Sequence, residues 1–367
     1  MENQLDNIKS IKKFILKNKI HKIFIISGKN SFYKTGADKL FLDIFKENKI
    51  FLYLKKNFLP EYTELKNIIE IKEKFKPDLI VAIGGGCAMD LAKISSVFRL
   101  EKNLKNKIFN SDISTKKNKV LAIPTTAGSG AEVTSNAVIY INKVKYSLEN
   151  EKVRPDYYCL IPKLLLSSSN YLDATAGFDA ISQAVESLFS QKSNSESIFF
   201  AKKSLKILLN NNKFFFAQKN ITNAHKMAIG ANLAGKAINI SKTIAPHALS
   251  YSFTTMYGVP HGHAVSLSFN QVLKFNFFNQ KKAICKYDIK KRYDMLFQIT
   301  KTKNIQDLDS YFDNFKKKLK LEQNFKKLGI NLERDFGKIF LRLNEQRLKN
   351  NPIKLLKTDI SAIFEKY

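Results

Sequence analysis

The stretch LIVAIGGGCAMDLAK at residues 79–93 decides the fold. Its apolar run is typical of a buried strand, it ends in the glycine triplet 84–86, and helical periodicity follows. A strand that turns directly into a helix is half of a βαβ unit, the element that builds parallel sheets. The glycines leave no Cβ between the backbone amides and a ligand, and the helix presents its positive N-terminus there. The stretch therefore predicts either a tight turn alone or a turn that holds a pyrophosphate.

The residues around this stretch repeat the alternation of strand and helix. Strand patterns are HKIFIIS (21–27), FLYLKK (51–56), DLIVAIGGG (78–86) and KVLAIPTT (119–126). Helical periodicity occupies residues 60–75 and 88–100, whereas the polar residues 101–118 indicate a surface loop. The first part of the chain is therefore predicted to be an α/β nucleotide-binding domain with a mostly parallel sheet.

After about residue 165 the pattern changes. Long amphipathic helical stretches dominate from there, and strand signals are no longer found. The chain has 367 residues, more than the roughly 250–300 at which a single core stops growing, so two domains are expected. We predict an α/β domain at residues 1–165 and an all-α domain at residues 166–367.

A second loop with the same chemistry follows the last of the predicted strands. The sequence PTTAGSGAEVT at residues 124–134 places Thr125, Thr126 and Ser129 beyond the carboxyl end of that strand. Open α/β sheets bind their ligands at this edge. Two such loops on successive strands favour a nucleotide site over a structural turn.

Two histidines and a carboxylate suggest a metal site in the helical part. His247 and His261 bracket the stretch HALSYSFTTMYGVPH, and Asp179 and Gln183 stand four residues apart in GFDAISQAVES. Neutral imidazoles with one carboxylate are the ligands that a divalent ion such as Zn²⁺ or Fe²⁺ selects. Whether Gln183 belongs to this predicted site is left open by the sequence.

Composition narrows the cellular context and the partners. The three cysteines are scattered and never form a CxxC pair, which predicts a reduced, cytoplasmic protein without disulfides or a thiolate metal site. No apolar run approaches the ~18 residues of a membrane span. The 62 basic and 32 acidic residues give a net charge of +30. Such a charge is typical of a protein that binds nucleic acid or a membrane surface, it could attract an anionic substrate, or it reflects a compositional bias. Because the charge is spread along the chain, we favour the bias and expect no nucleic-acid or membrane partner.

Taken together, GGGCAMDLAK, PTTAGSGAEVT, GFDAISQAVES and HALSYSFTTMYGVPHGHAV resemble the iron-containing (group III) alcohol dehydrogenase family. The four motifs occur in the order of that family, and the resemblance covers nearly the whole chain. It implies a dehydroquinate synthase-like architecture, in which a dinucleotide-binding α/β domain precedes an all-α domain. It also implies NADP(H) or NAD(H), a divalent Fe²⁺ or Zn²⁺ ion between the domains, and a homodimer.

The resemblance assigns roles to individual residues. Asp179, His247 and His261 match metal ligands. The positions that match contacts to the dinucleotide are Gly85, Gly86, Asp90, Thr125, Thr126, Ser129 and, with less support, Lys145. Asp90 can equally be a carboxylate that stabilises the N-terminal turn of its helix. Gly28 stands about where NAD-specific members place an aspartate, so Gly28 and Lys29 are expected to accommodate a 2′-phosphate and favour NADPH or dual use.

Three residues depart from the family pattern or leave two interpretations open. Gln183 occupies the position of a second metal-binding histidine, and an amide is a neutral and poorer oxygen donor. Tyr251 replaces the second histidine of the usual HxxxH, where it either hydrogen-bonds the substrate or packs as an aromatic ring. His263 either acts directly or supports the site. Three ligands and a substrate oxygen would still fill a tetrahedral site.

The substrate is predicted from the residues before His247. This region, with DAISQAVES, is similar to the phosphonoacetaldehyde reductase branch, which implies reduction of phosphonoacetaldehyde to 2-hydroxyethylphosphonate. The cations and hydroxyls that could face the anion are Lys236, Ser241, Lys242 and Thr243, and the two lysines could equally be ordinary surface positions. The alternatives are an oxidoreductase for another small polar or phosphorylated substrate, a cyclase of the dehydroquinate synthase type, and a redox-inactive protein that binds anions or nucleic acid.

Overall fold

The computed structural model describes residues 3–116, 118–142, 144–211, 218–343 and 345–364. The chain forms two compact units. The N-terminal unit covers the described part of residues 1–168 together with Asn220–Ala228, and the C-terminal unit covers the described part of residues 169–219 and 229–367. These units differ from the predicted division in two ways: the first boundary follows residue 168 instead of 165, and the segment Asn220–Ala228 belongs to the N-terminal unit. The predicted domain bounds themselves stay a prediction.

The N-terminal unit contains a six-stranded parallel sheet. Its strands are β1 (Asn3–Gln4), β2 (Lys22–Gly28), β3 (Lys49–Lys55), β4 (Leu79–Gly84), β5 (Lys119–Pro124) and, after a separate hairpin, β8 (Tyr157–Tyr158). The hairpin pairs β6 (Asn136–Ile141) with β7 (Val144–Glu149) in an antiparallel sheet of its own. The order across the large sheet is β1-β8-β5-β4-β2-β3, and every pair is parallel. The predicted mostly parallel α/β domain is confirmed.

Helices cover this sheet. They are α1 (Ile8–Lys17), α2 (Lys29–Tyr33), α3 (Ala37–Ile44), α4 (Tyr62–Phe75), α5 (Gly86–Val97) and α6 (Leu104–Phe109), with 3-10 turns at Glu151–Val153 and Pro162–Leu165. Because β4 is buried on both faces, all six of its residues are buried, which explains its unbroken apolar run. Two features were not expected from the sequence. The polar stretch 101–118 contains α6, and the β6–β7 hairpin gave no signal that we recognised.

The C-terminal unit is helical. Its helices are α7 (Asn170–Phe189), α8 (Ser195–Asn210), α9 (Ile221–Ser241, whose first residues belong to the N-terminal unit), α10 (Ala245–Tyr257), α11 (His261–Phe278), α12 (Ile289–Thr300), α13 (Ile305–Lys318), α14 (Leu332–Leu341), α15 (Glu345–Leu348) and α16 (Lys357–Phe364), with a 3-10 turn at Gln280–Lys282. Among its described residues, β-structure is limited to one isolated bridge between Ala283 and Ile353. The predicted all-α domain is confirmed. None of the described helices combines the length and the apolar character needed to cross a membrane.

The helix pair α7 and α11 packs unusually closely at one point. A Cβ atom built on Gly262 would lie only 1.9 Å from the carbonyl oxygen of Thr175 and 3.0 Å from the Cβ of Asp179. No side chain fits there, so the glycine allows the two helix backbones to touch. This contact lies beside His261, the first residue of α11, and therefore sets how close that histidine comes to α7.

Candidate metal centre and dinucleotide loops

Three helices of the C-terminal unit bring the predicted metal ligands together. Asp179 lies in α7, His247 in the first turn of α10 and His261 at the start of α11. One ligand atom from each lies within 4.8 Å of the others. The Nε2 atoms of His247 and His261 are 3.2 Å and 3.9 Å from Asp179 Oδ1. In the part of the chain that the structure describes, no other trio of His, Cys, Asp or Glu has this geometry. Two imidazoles and a carboxylate suit a divalent Zn²⁺ or Fe²⁺ ion.

A short turn explains why the two histidines meet. Gly258 ends α10 in the left-handed conformation, with φ of 69°, and its N–H donates to the carbonyl of Thr254. Pro260 then serves as the N-cap of α11. The chain therefore reverses within a few residues, and the rings of His247 and His261 meet edge to face with centroids 5.3 Å apart.

Gln183 lies one helical turn after Asp179 in α7 and is only 3% exposed. Its Oε1 atom is buried and has no hydrogen-bond partner among the described residues. A buried acceptor without a partner costs about 1–3 kcal/mol, so such atoms in native sites call for an ion, water or ligand. The position and this unsatisfied oxygen suit a ligand role for the amide. The role itself stays a prediction.

Glu186 is a part of the site that sequence reasoning missed. It is fully buried, its Oε1 lies 2.5 Å from His247 Nδ1, and its Oε2 accepts the N–H of Ile244 at 2.8 Å. Because metal-binding histidines commonly donate their second ring N–H to a carboxylate, Glu186 orients His247 so that Nε2 faces Asp179. A signal was present: residues 179, 183 and 186 follow the spacing of one helix face.

The His247 imidazole lies between two carboxylates that favour its charged form. Burial opposes a charge on His247, but the carboxylates of Glu186 and Asp179 outweigh it and raise the pKa of His247 to about 9. Both of its ring nitrogens face carboxylates, which stabilises the imidazolium form. A bound divalent cation would take over that compensation.

Tyr251 and His263 occupy different surroundings. The ring of Tyr251 stacks on His261 with centroids 5.7 Å apart, and burial raises the pKa of its phenol although Arg347 opposes the shift. His263 Nε2 donates to the carbonyl of Glu322 at 2.6 Å, so in the neutral ring Nδ1 accepts from the Tyr171 hydroxyl at 2.9 Å. Burial lowers the pKa of His263. These contacts give His263 a supporting position, and its catalytic role remains a prediction.

The residues suggested for anion recognition differ in their surroundings, and some of them already contact other groups of the protein. The Lys236 ammonium lies 5.8 Å from the ring centroid of Phe200, and the Ser241 hydroxyl donates to Ser187 Oγ at 2.8 Å. Lys242 is half-buried in the left-handed conformation with φ of 62°, two residues before the Ile244 N–H that Glu186 binds. Of these candidates, Lys242 has the placement that best suits the role.

In the N-terminal unit the two predicted loops meet at the carboxyl edge of the sheet. A Cβ built on Gly85 would lie 3.2 Å from Thr126 Oγ1, and one built on Gly86 would lie 3.1 Å from Ser129 Oγ. The Thr125 N–H donates to the carbonyl of Gly84 at 3.0 Å, which ties the loops together. The structure thus places two hydroxyls beside the N-terminus of α5, whose first N–H groups lack helical partners. This arrangement fits a diphosphate.

The other predicted dinucleotide residues lie around this edge. Gly28 ends β2, a parallel neighbour of β4, and Lys29 begins α2 with an exposed side chain. Asp90 Oδ2 accepts the N–H of Val138 at 3.1 Å. Burial raises the pKa of Asp90 to about 6, while Lys93, the Val138 N–H and Lys145 oppose the shift. Asp90 therefore anchors β6, and contact of Asp90 and Lys145 with the dinucleotide stays a prediction.

Lys93 is a second residue that sequence reasoning missed. It is fully buried in α5, and its ammonium donates to the carbonyls of Ala131 and Asn136 and to Thr134 Oγ1 at 2.6–3.1 Å. These bonds fasten the segment after the PTTAGSG loop to the helix after the glycine triplet. Lys93 thereby fixes the position of the PTTAGSG loop relative to the glycine triplet.

Family comparison agrees with this geometry. The model described as iron-containing alcohol dehydrogenase matches residues 3–162, and that of the Fe-containing alcohol dehydrogenase family, C-terminal, matches residues 173–367. The chain belongs to the iron-containing alcohol dehydrogenase family. Membership confirms the resemblance drawn from the four motifs and the expected oxidoreductase class. The family binds NAD(P) and a metal, as expected, and the Asp179, His247 and His261 group fits such an ion.

Individual relatives differ in how much of the chain they match. A 4-hydroxybutyrate dehydrogenase from Clostridium kluyveri is 30% identical over 67% of this chain and 69% of its own length. A phosphonoacetaldehyde reductase from Streptomyces viridochromogenes is 31% identical over 55% of this chain and 54% of its own. An aldehyde-alcohol dehydrogenase from Streptococcus pneumoniae is 27% identical over 59% of this chain, which spans only 26% of that larger protein.

A solved structure shares the whole fold. Sulfoacetaldehyde reductase from Bifidobacterium kashiwanohense in complex with NAD⁺ superposes with a TM-score of 0.87 at 21% identity. The match covers 100% of this chain and 96% of the other. The expected architecture is therefore confirmed.

Proposed function

We propose that this protein is a metal-dependent reductase that uses NAD(P)H to convert a small anionic aldehyde to its alcohol. The specific reaction is the reduction of phosphonoacetaldehyde to 2-hydroxyethylphosphonate. The observation that carries the proposal is the group of buried Asp179, buried His247 and half-buried His261, with Glu186 hydrogen-bonded to His247. The same chain also carries two loops that fit the diphosphate of a dinucleotide. A metal site and a bound nicotinamide dinucleotide are what hydride transfer to a carbonyl requires.

The residues of the site have distinct roles. A divalent ion held by Asp179, His247 and His261 would supply Lewis acidity to the carbonyl oxygen, and NAD(P)H would supply the hydride. Glu186 fixes the tautomer of His247 by accepting from Nδ1, which leaves Nε2 for the ion. Tyr251 keeps its phenolic proton because burial raises its pKa, so its Oη is a donor next to His261. Tyr251 or a water molecule would relay a proton from solvent to the product oxygen, which leaves the phenol protonated at the end of the reaction.

Two observations support an anionic substrate. Lys242 places a cation in the segment that leads into His247. The relatives from S. viridochromogenes and C. kluyveri are named for small molecules that carry a phosphonate or a carboxylate at the end opposite the reacting carbon. A cation that hydrogen-bonds such an anion contributes about 1.5–3 kcal/mol, enough to select among short aldehydes.

Turnover with matched aldehydes tests the proposal. Protein loaded with Fe²⁺ or Zn²⁺ is assayed for NADPH and NADH oxidation with phosphonoacetaldehyde, glycolaldehyde and lactaldehyde. We expect kcat/KM for phosphonoacetaldehyde to exceed the others about 10-fold or more. Equal values would refute the anionic substrate. No turnover with any aldehyde, together with tight DNA binding at moderate salt, would refute the proposal that the protein is an aldehyde reductase.

Two variants locate the specificity and the metal. Lys242→Asn removes the charge while keeping a residue that tolerates the left-handed backbone, and it should lose the preference for the phosphonate. Lys320→Asn, at an exposed lysine with φ of 55°, is the matched control and should keep it. His247→Ala should contain less metal than wild type in elemental analysis, and an unchanged metal content would remove His247 from the site.

The proposal also includes a cytoplasmic location and a homodimer.

A further inference from the structure

The end of β3 carries a cation that points toward the predicted ribose position. β2 and β3 are parallel neighbours in which Gly28 stands opposite Lys55. A Cβ built on Gly28 would lie 3.6 Å from Lys55 Cε and 3.4 Å from Ser31 Oγ. The lysine side chain therefore lies across the end of β2, in the space that a larger residue at position 28 would share.

Lys55 is also close to the glycine triplet. Burial raises the pKa of the Cys87 thiol in the first turn of α5, and the nearby Lys55 ammonium opposes that shift. Its Nζ donates to the carbonyl of Asn57 at 2.6 Å, and it forms no salt bridge with any described residue. Glu64 is the nearby acid, but its Oε1 accepts the Lys56 N–H at 2.5 Å. The charge of Lys55 is half-buried and not neutralised by an ion pair.

The geometry of open α/β sheets indicates which phosphate group of a bound dinucleotide lies near such a cation. The pyrophosphate lies at the glycine loop, and the ribose extends over the carboxyl end of the neighbouring strand, where a carboxylate selects NAD and a cation accommodates NADP. Here the glycine loop follows β4, the neighbouring strand β2 ends in Gly28, and β3 lies one strand further, roughly 10 Å from β4. Lys55 thus stands on the ribose side of the loop.

We infer that Lys55 is the residue that recognises the 2′-phosphate of NADP(H) and sets the cofactor preference of this protein. The inference rests on the proposed use of a dinucleotide at these loops. Lys29 lies on the same edge, but its side chain is exposed, and exposed charges contribute little because water screens them. Lys55 is half-buried against Gly28, so its contact with a phosphate is the stronger of the two.

Direct binding measurements test this inference without turnover. Dissociation constants for NADPH and NADH are taken from the fluorescence of the reduced nicotinamide, and those for adenosine 2′,5′-bisphosphate and 5′-AMP by calorimetry. We expect the wild type to favour the 2′-phosphorylated member of each pair. Lys55→Ala should weaken that member about 10- to 100-fold and leave the other within about 2-fold, the effect of one charge-assisted hydrogen bond.

Two further variants keep the test decisive. Lys49→Ala, at the exposed opposite end of β3, should change neither ligand, and Lys55→Arg should retain most of the preference. Equal losses for both ligands in Lys55→Ala, or no loss in either, would overturn the inference while dinucleotide binding stands. A wild type that binds neither NADPH nor NADH would overturn the proposed function and the inference together.

Discussion

The substitution Gly262→Ala tests whether the close contact of α7 and α11 sets the metal geometry. The added Cβ would lie 1.9 Å from Thr175 O, which falls 1.1 Å short of the 3.0 Å that real Cβ atoms need. The obstacle is a backbone carbonyl, so no side-chain rotation relieves it. The start of α11 must therefore move away from α7 by about that distance.

A movement of this size is large for a metal site. Ligand distances in metal centres hold within roughly 0.2 Å, and His261 and Asp179 lie on the two helices that separate. Loss of a residue that hydrogen-bonds a metal ligand lowers metal affinity about 10- to 100-fold. We expect Gly262→Ala to lower metal affinity by a similar factor or more, because it displaces a ligand itself. Overpacking should also lower the free energy of unfolding of the metal-free protein by about 1–3 kcal/mol.

The assays are elemental analysis, competition with a chelator and thermal unfolding with and without metal. Gly337→Ala is the matched control, because it lies within α14 and a Cβ there meets nothing within 4 Å. It should bind metal normally and gain about 0.5–1 kcal/mol of stability. Wild-type metal affinity in Gly262→Ala would show that helix contact does not set the ligand geometry.

Three further outcomes are expected. Glu186→Gln should weaken metal binding about 10- to 100-fold through His247, and unchanged chelator competition would contradict that. Gln183→Met should stabilise the metal-free protein by about 1–3 kcal/mol, because it removes an unsatisfied buried oxygen. The same substitution should weaken metal binding, and an unchanged metal affinity would exclude the amide as a ligand. Hydrogen bonds from Arg334 and Tyr257 lower the pKa of Asp335 to about 2, so its stabilising effect is complete above its unfolded pKa of about 4 and lost as the pH falls to 2. Asp335→Asn should therefore lower the melting temperature at neutral pH, and its difference from wild type should shrink as the pH falls from about 4 through 2. A difference that stays constant over this range would contradict the assignment.

Local pattern was enough to predict the parts of this protein that depend on neighbours in the sequence. The run before Gly84 predicts β4 because a strand buried on both faces has no polar residue to interrupt it. The spacing of Asp179 and Gln183 predicts one helix face, and two histidines fourteen residues apart predict further ligands. Each of these inferences needed only strand or helix periodicity and ligand chemistry.

What the sequence did not predict depends on contacts between distant segments. Lys93 looks like any other lysine of a basic chain until the segment 131–136 folds over it. Glu186 lies on the predicted face of α7, but its role requires α10 to bring His247 within 2.5 Å. The β6–β7 hairpin is anchored through Asp90, forty-eight residues before Val138 in the sequence. Periodicity holds no information at these separations.

The replacement of a histidine by Gln183 can now be weighed against the rest of the site. Two buried carboxylates, Asp179 and Glu186, provide the negative charge that a divalent ion needs. An amide and a neutral imidazole carry the same charge, so the substitution leaves that balance intact. As a ligand, the amide would replace a nitrogen donor by a harder oxygen donor, and softness of the ligands governs which metal a site prefers. On this reasoning a ligand role of Gln183 would bear on which ion is preferred, whereas the carboxylates supply the negative charge that any divalent ion needs.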